Sequence, residues 1–370
     1  MVGEKQNQLW LPVFPPDERV KQSRPEYFAS DIVGNRDALC RIGRIIYDMT
    51  AYENRCCDET TQSKHPARSI AFIGAPGTGK TTFARLIAKS THLPFLEVQG
   101  QSLTEVNILL TQISAVLDET NVLFNEGGQT LELMEVGGDG CGSRCFVIPP
   151  MVIFIDEVHT LRDKVVQGLL KATEPKDRLL VTEKGWVADC RHIFWVIATT
   201  QRGLLDKAYD SRFVQITLNP YTRAEIAKIV HINFPKWDES LCELVTKYGG
   251  NIPRSVLLFA EDVQRAIVME GQENLSALVE EIARQHQIDQ FGMSYQTLNI
   301  LKVLKGGSVS KGRMMYIAGV QLAELENFIM PPLLNISPDG DPPLVAVESR
   351  GYVLTEAGED ELQKRKWHDE

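Results

Sequence analysis

The stretch GAPGTGKTT, from Gly74 to Thr82, decides the fold. Before it runs SIAFI (Ser69 to Ile73), and after it FARLIAKS (Phe83 to Ser90), whose apolar residues recur at helical spacing. Strand, glycine loop and helix therefore follow one another. Gly74, Gly79, Lys80 and Thr81 satisfy the pattern G-x-x-x-x-G-K-[ST]. Glycines there let backbone N–H groups turn toward one point that a Cβ would crowd. Those groups and the start of the next helix make an anion cradle. The expected nucleotide-binding set is Gly74, Gly77, Thr78, Gly79, Lys80, Thr81 and Thr82. Lys80 would reach the outer phosphates of ATP, and Thr81 would place its hydroxyl on Mg²⁺.

Further along, MVIFIDEVHTL (Met151 to Leu161) is an apolar run of buried-strand type that ends in two acids. An acid at the end of a central parallel strand lies beside the phosphate loop, at the edge where such sheets bind ligands. Asp156 is expected to hold Mg²⁺ through water, and Glu157 to orient and polarise the attacking water. A third strand, RHIFWVIATTQ (Arg191 to Gln201), ends in Thr199 and Thr200. In chain order these read as a polar sensor near the γ-phosphate, between the two earlier motifs, with Thr200 preferred and Thr199 next.

Two arginines follow. Arg212, in DSRF before another apolar strand, is poorly placed for its own subunit's nucleotide and well placed for a neighbour's; the other reading is an ordinary surface arginine. Arg254 stands in NIPR, with Pro253 at a first helical position. It either closes a helical lid onto the phosphates or is a solvated helix-start residue.

The chain has 370 residues, room for two or three domains. Its composition is that of a water-soluble globular protein, and no apolar stretch would span a bilayer. The first twenty residues lack a basic start and an apolar core, so no signal peptide is expected. Seven scattered cysteines do not form a secreted disulfide framework, and a cytoplasmic location is expected. The net charge of −10 argues against a surface coated for nonspecific nucleic-acid binding, though not against a local basic stripe.

These segments, in this order, resemble the AAA+ ATPases, and in detail the RuvB branch of that family, the motors of Holliday-junction branch migration. RPEYFASDIVGNRDAL (Arg24 to Leu39) is similar to the family's adenine-packing box, FIDEVH to its Walker B, ATTQRGLLDKAYDSRF to its sensor strand and arginine finger, and the arginine of NIPR to its second sensor. The resemblance implies an α/β fold: a P-loop αβα domain, a helical lid and a C-terminal winged helix. It also implies a hexameric ring in which Arg212 of one subunit completes the site of the next, with duplex or branched DNA as partner. An ATP-gated switch or loader that remodels a protein partner, without moving along DNA, is the alternative.

Residues 1–30 read as an extended arm, since PVFPP forbids a regular helix. Residues 31–217 make the nucleotide domain, 218–288 the lid and 289–370 the winged helix. Compared with the RuvB branch, the gap from Lys80 to Asp156 is long, and the segment 118–150 looks inserted, with Gly-Gly and Gly-Asp-Gly punctuation. Cys141 and Cys145 lie in it, but a structural zinc needs four ligands, and the nearest others are the distant Cys56 and Cys57. KATEPKDRLLVTEKGWVADCRH reads as a hairpin turning at Lys184-Gly185. RuvB-like proteins dock RuvA through such a hairpin, so Trp186 is either an anchor for a RuvA-like partner or is folded back on its own domain.

In the C-terminal part, helices around KGRMMYIAG and QLAELENFIMPPLL precede two strands, PLVAVES and GYVLTEAG, joined at Arg350-Gly351. From Asp289 to Glu370 there are eight Lys/Arg against twelve Asp/Glu. Glu324 and Glu326 stand where a major-groove reader would want Arg, Lys or Asn. DNA contact is expected from Arg350 at the wing, with Lys311 and Arg313 adding backbone contacts. The other reading is a winged helix used for protein contact alone.

Overall fold

The computed structural model describes residues 32–56, 69–120, 145–174, 178–181, 187–205, 207–270, 274–335 and 337–366. The expected arm 1–30, most of the segment 118–150 with Cys141, residue Cys57, the hairpin turn and Trp186 lie outside them. By its internal contacts the chain divides into two units. One is Met1–Ala75 with Gly79–Asn219; the other is Pro220–Glu370 with the loop tip Pro76–Thr78.

The first unit contains α1 (Arg36–Cys56), β1 (Ser69–Ile73), α2 (Lys80–Thr91), β2 (Phe95–Gln99), α3 (Val106–Thr120), β3 (Cys145–Val147), β4 (Met151–Asp156), α4 (Asp163–Ala172), β5 (Leu179–Val181), β6 (Val187–Asp189), β7 (Ile193–Thr199) and β8 (Phe213–Thr217). Five strands form a parallel sheet in the order β2-β4-β7-β1-β8. Its central strands β4, β7 and β1 are apolar at all but an end position because both faces are covered. Alternate residues serve opposite layers: Val152 and Phe154 pack with α1 and α2 through Ile42, Ile46, Phe83 and Ile87. Met151, Ile153 and Ile155 pack with α3 and α4 through Leu109, Ile113, Val165 and Leu169. Phe83 and Phe154 are fully buried, and truncating either to Ala should cost about 3–5 kcal/mol.

The expected hairpin is present as antiparallel β5 and β6. The sequence did not announce its third member: β3, at the end of the supposed insertion, pairs parallel to β6. At the other end of that segment α3 continues to Thr120. Asp189 closes β6 by accepting from the Arg191 backbone N–H (3.0 Å) and Nε (2.7 Å).

The second unit contains α5 (Arg223–Asn233), α6 (Glu239–Gly249), α7 (Pro253–Glu270) and α8 (Leu275–Gln285), closed around Ile226, Val245, Val256 and Val279. Thr222 and Glu225 form a reciprocal capping box that starts α5. Then come α9 (Tyr295–Leu304), α10 (Lys311–Ala318), and α11 (Leu322–Glu324), which passes through a π-turn (Leu325–Ile329) into α12 (Met330–Leu334). The antiparallel pair β9 (Val345–Glu348) and β10 (Gly351–Leu354) makes the wing, and Val309 bridges to Tyr352 beside it. This is a winged helix with its own core of Ile300, Leu301, Leu325 and Val345.

One reading needs correction here. GYVLTEAG is not a strand throughout: β10 stops at Leu354, the Thr355 hydroxyl accepts from the Gly358 N–H (3.1 Å), and α13 (Glu356–Lys366) begins. A Cβ on Gly358 would lie 2.3 Å from the Leu344 carbonyl oxygen, so glycine is required for that packing. Arg365 of α13 then donates to Asp289 (2.6 Å).

Candidate nucleotide site

The parallel sheet puts the ends of β1, β7 and β4 side by side, with β7 in the middle. The acids of β4 are thus one strand away from the phosphate loop, and the threonines of β7 fill the place between, as their order in the chain suggested. After β1 the backbone turns through Gly77 (φ 78°) and Gly79 (φ 90°), a left-handed region that side chains with a Cβ avoid. Gly79 caps α2, and its carbonyl accepts from the Phe83 N–H at 2.9 Å.

Lys80, at the first position of α2, is 7% exposed. Its ammonium donates to the carbonyls of Gly74 (2.9 Å) and Ala75 (3.1 Å), folded back onto the loop. Burial lowers its pKa, opposed by the charges of Glu157 and Asp156. Thr81 is half-buried and Thr82 exposed, one turn into the same helix; Thr78 is buried. Asp156 accepts from the Glu157 N–H at 2.9 Å. Burial raises its pKa, the Glu157 N–H lowers it, the Glu157 charge raises it, Lys80 lowers it and Glu97 raises it.

Glu157 adopts φ 48°, which for a residue with a Cβ costs about 1–3 kcal/mol. Its carbonyl holds the turn, accepting from Thr160 N–H (2.9 Å) and Thr160 Oγ1 (2.7 Å). Gly100 presses against it: a Cβ there would stand 2.6 Å from the Glu157 oxygen. The strained turn aims the carboxylate at β7. Glu157 Oε2 accepts from Thr200 Oγ1 (3.0 Å) and Thr200 N–H (3.3 Å), and lies 3.2 Å from His159 Nδ1. His159 Nδ1 is also 2.9 Å from Thr199 Oγ1. The structure therefore brings together Lys80, Asp156, Glu157 and Thr200, and adds His159, which the sequence reading passed over. The available signal was its position two residues after Glu157, in the turn that follows β4.

A family model described as "ATPase family associated with various cellular activities (AAA)" matches residues 70–221. Over 309 residues the chain is 26% identical to the Holliday junction branch migration complex subunit RuvB of Fervidobacterium nodosum, covering 78% of this chain and 76% of that one. Residues 70–221 are thus an AAA-type ATPase domain, and the chain resembles RuvB. The RuvB subunit of Rickettsia africae is similar to this chain at 24% identity over 307 residues, covering 79% of each. Among solved structures, the Thermotoga maritima RuvB Holliday junction branch migration motor superposes with a TM-score of 0.63 at 20% identity, over 90% of this chain and 95% of that one.

Other residues singled out in the sequence have surroundings of their own. Arg212 is held against the end of α4. It donates to the carbonyls of Leu170 (3.2 Å) and Ala208 (2.8 Å) and pairs with Glu174. A cation at the C-terminal end of a helix is favourably placed. Arg254 is the second residue of α7 and is exposed. In the winged helix, Arg350 stands exposed at the turn of the wing, and Arg313 is exposed on α10. Lys311 is ion-paired with Glu326, and that hydrogen bond raises its pKa. Among the described residues no group of three or more His, Cys, Asp or Glu could hold a metal, and no helix is long and apolar enough to cross a membrane.

Proposed function

We propose that this chain is the ATP-hydrolysing subunit of a cytoplasmic ring motor that acts on duplex or branched DNA; the names of its relatives speak of Holliday junction branch migration. In this reading Gly74, Gly77, Thr78, Gly79, Lys80, Thr81 and Thr82 bind the phosphates. Lys80 exchanges the Gly74 and Ala75 carbonyls for phosphate oxygens. Glu157 takes a proton from the attacking water as that water's oxygen bonds to the γ-phosphorus. The bond from the γ-phosphorus to the β–γ bridging oxygen breaks, leaving ADP and phosphate. Thr200 holds the Glu157 carboxylate in place.

Mg²⁺ suits the donors present. A threonine hydroxyl (Thr81) and a carboxylate (Asp156) are what this cation takes alongside phosphate oxygens and water. Asp156 is half-buried beside other acids, which a cation would relieve. When bound, Mg²⁺ supplies charge neutralisation for the phosphates. Arg212 is assigned as the finger that reaches a neighbouring subunit's nucleotide in a hexamer. Arg254 is assigned as the lid's ligand. Arg350, with Arg313 and Lys311, is assigned to the DNA backbone, and the hairpin bearing Trp186 to a RuvA-like partner.

The observation that carries this reading is the combination, in one chain, of the clustered Lys80, Asp156, Glu157 and Thr200 with a winged helix, matched over about three quarters of the chain by RuvB relatives. ATP hydrolysis should rise when a four-way DNA junction is added, and the effect should fade as salt increases. Particles imaged with a non-hydrolysable ATP analogue should be six-membered rings. One observation favours the switch or loader instead: acids outnumber bases in the winged helix, and Lys311 is already paired with Glu326. An ATPase rate indifferent to DNA, with no salt-dependent DNA binding, would decide for that reading.

A further inference from the structure

We propose that His159 is a positioning residue for ATP hydrolysis. Through a single ring nitrogen it locks the Glu157 carboxylate to the sensor strand β7, and through β7 to the first residue of the phosphate loop. The proposal rests on Glu157 being the base.

Carboxylate oxygens only accept, so the Nδ1 that stands 3.2 Å from Glu157 Oε2 carries its proton on that side. The same Nδ1 is 2.9 Å from Thr199 Oγ1, which also accepts from the Gln201 N–H at 3.0 Å. One ring nitrogen thus faces the threonine at hydrogen-bond distance and the carboxylate at ion-pair distance. Thr199 is 1% exposed, and its carbonyl accepts from the Gly74 N–H at 3.3 Å. A continuous chain of polar contacts thus runs from the start of the phosphate loop through Thr199 and His159 to Glu157.

Thr200 and His159 approach the same oxygen, Oε2, from two different elements: the end of β7 and the turn after β4. A carboxylate is planar, so fixing Oε2 from both fixes the direction of Oε1. The inference assigns Oε1 to the water and Oε2 to the anchor. Thr200 alone leaves the group able to swing about that contact, and His159 removes the freedom. The His159 side chain is 10% exposed, so water is a poor substitute for it.

Asparagine places its side-chain amide where Nδ1 lies, whereas glutamine reaches toward the Nε2 position. His159→Asn, His159→Gln and His159→Ala, made in the full chain, therefore separate position from bulk. Steady-state ATP hydrolysis, equilibrium binding of a fluorescent ATP analogue and thermal unfolding are measured for each. The Ala and Gln proteins should lose about tenfold or more in kcat, in keeping with a misplaced catalytic group. Their affinity for the analogue should change by less than about twofold, since the contact matters to the chemical step. The Asn protein should recover most of the rate. If Asn is no better than Gln, or if all three hydrolyse at the parental rate, the proposal is overturned. Should the Ala protein fail to fold, the Asn and Gln pair carries the test. Glu157→Gln runs in parallel. If it still hydrolyses ATP, the base assignment itself falls; if it is inactive while the His159 variants are normal, only the role of His159 falls.

Discussion

The nucleotide site of the first unit and the wing of the second use charge in opposite ways. Around Lys80, Asp156 and Glu157 the charged groups are few, buried or half-buried, and bound to partners in fixed directions. On the winged helix, Arg350 and Arg313 project into solvent, and Lys311 is already satisfied by Glu326. Buried bonds act in low dielectric and set geometry, so each can change a rate by orders of magnitude. Exposed charges are screened, so each contributes little, and a ring must add them together. The contrast teaches that chemistry here is concentrated, while any grip on a polyanion is distributed.

The sharpest break of that contrast is Arg212→Ala. As a finger acting on a neighbour, its loss should lower kcat by about 10³–10⁵ while ATP binding survives. Because Arg212 also bonds Leu170, Ala208 and Glu174, the partner substitution Glu174→Gln separates the two roles. It loosens the same corner but should keep activity. If both variants melt early and lose activity alike, Arg212 serves the fold of its own subunit. Next in size, Glu157→Gln should cost about 10²–10⁴ in kcat with nucleotide affinity intact, read by single-turnover hydrolysis.

A smaller effect comes from a well-held pair that does no chemistry in this reading. Burial pushes the Asp189 carboxyl up, but the hydrogen bonds and charge of Arg191 more than reverse this, and its pKa is lowered. Its folded pKa then lies below the unfolded one. The stabilisation is present above the ordinary aspartate range and is lost as pH falls through the lowered value. Arg191 is largely exposed, so Asp189→Asn should cost only about 1 kcal/mol near neutral pH. The gap in Tm between parent and variant should close on acidification; a gap independent of pH would count against the pair. Smallest of all, Arg350→Ala should leave DNA-free ATP hydrolysis unchanged and reduce the salt dependence of duplex binding by about one unit of slope. Lys311→Ala should do less still. A large drop from either would mean that the wing reads DNA through one dominant contact, against the comparison drawn above.

Much of the nucleotide site was legible along the chain because its parts are local. A glycine loop between a strand and a helix, or two acids ending an apolar strand, announce themselves within about ten residues. His159 was not legible. Its partners are Glu157, two residues away, and Thr199, forty residues on, which becomes adjacent only because β7 inserts between β4 and β1. Arg212 was read as suited to a neighbour's nucleotide or as an ordinary surface arginine; that the end of α4 offers it a carbonyl is something no local pattern predicts. Helix α13 escaped because EAGEDELQKRK has no apolar stripe; among its described residues Leu362 is the one buried hydrophobic, and the helix is held by the Thr355 cap and by Arg365 on Asp289.

The amino-acid sequence by itself determined which groups line the glycine loop and end the strands, where the buried strands run and that a wing follows α12. Each depends on backbone freedom or hydrophobic period over a short span. Tertiary structure alone decided which oxygen of Glu157 is anchored, what holds Arg212 and how β3 joins the hairpin. Those depend on the order of strands in a sheet, and strand order is set by long-range packing of both faces rather than by any run of neighbouring residues.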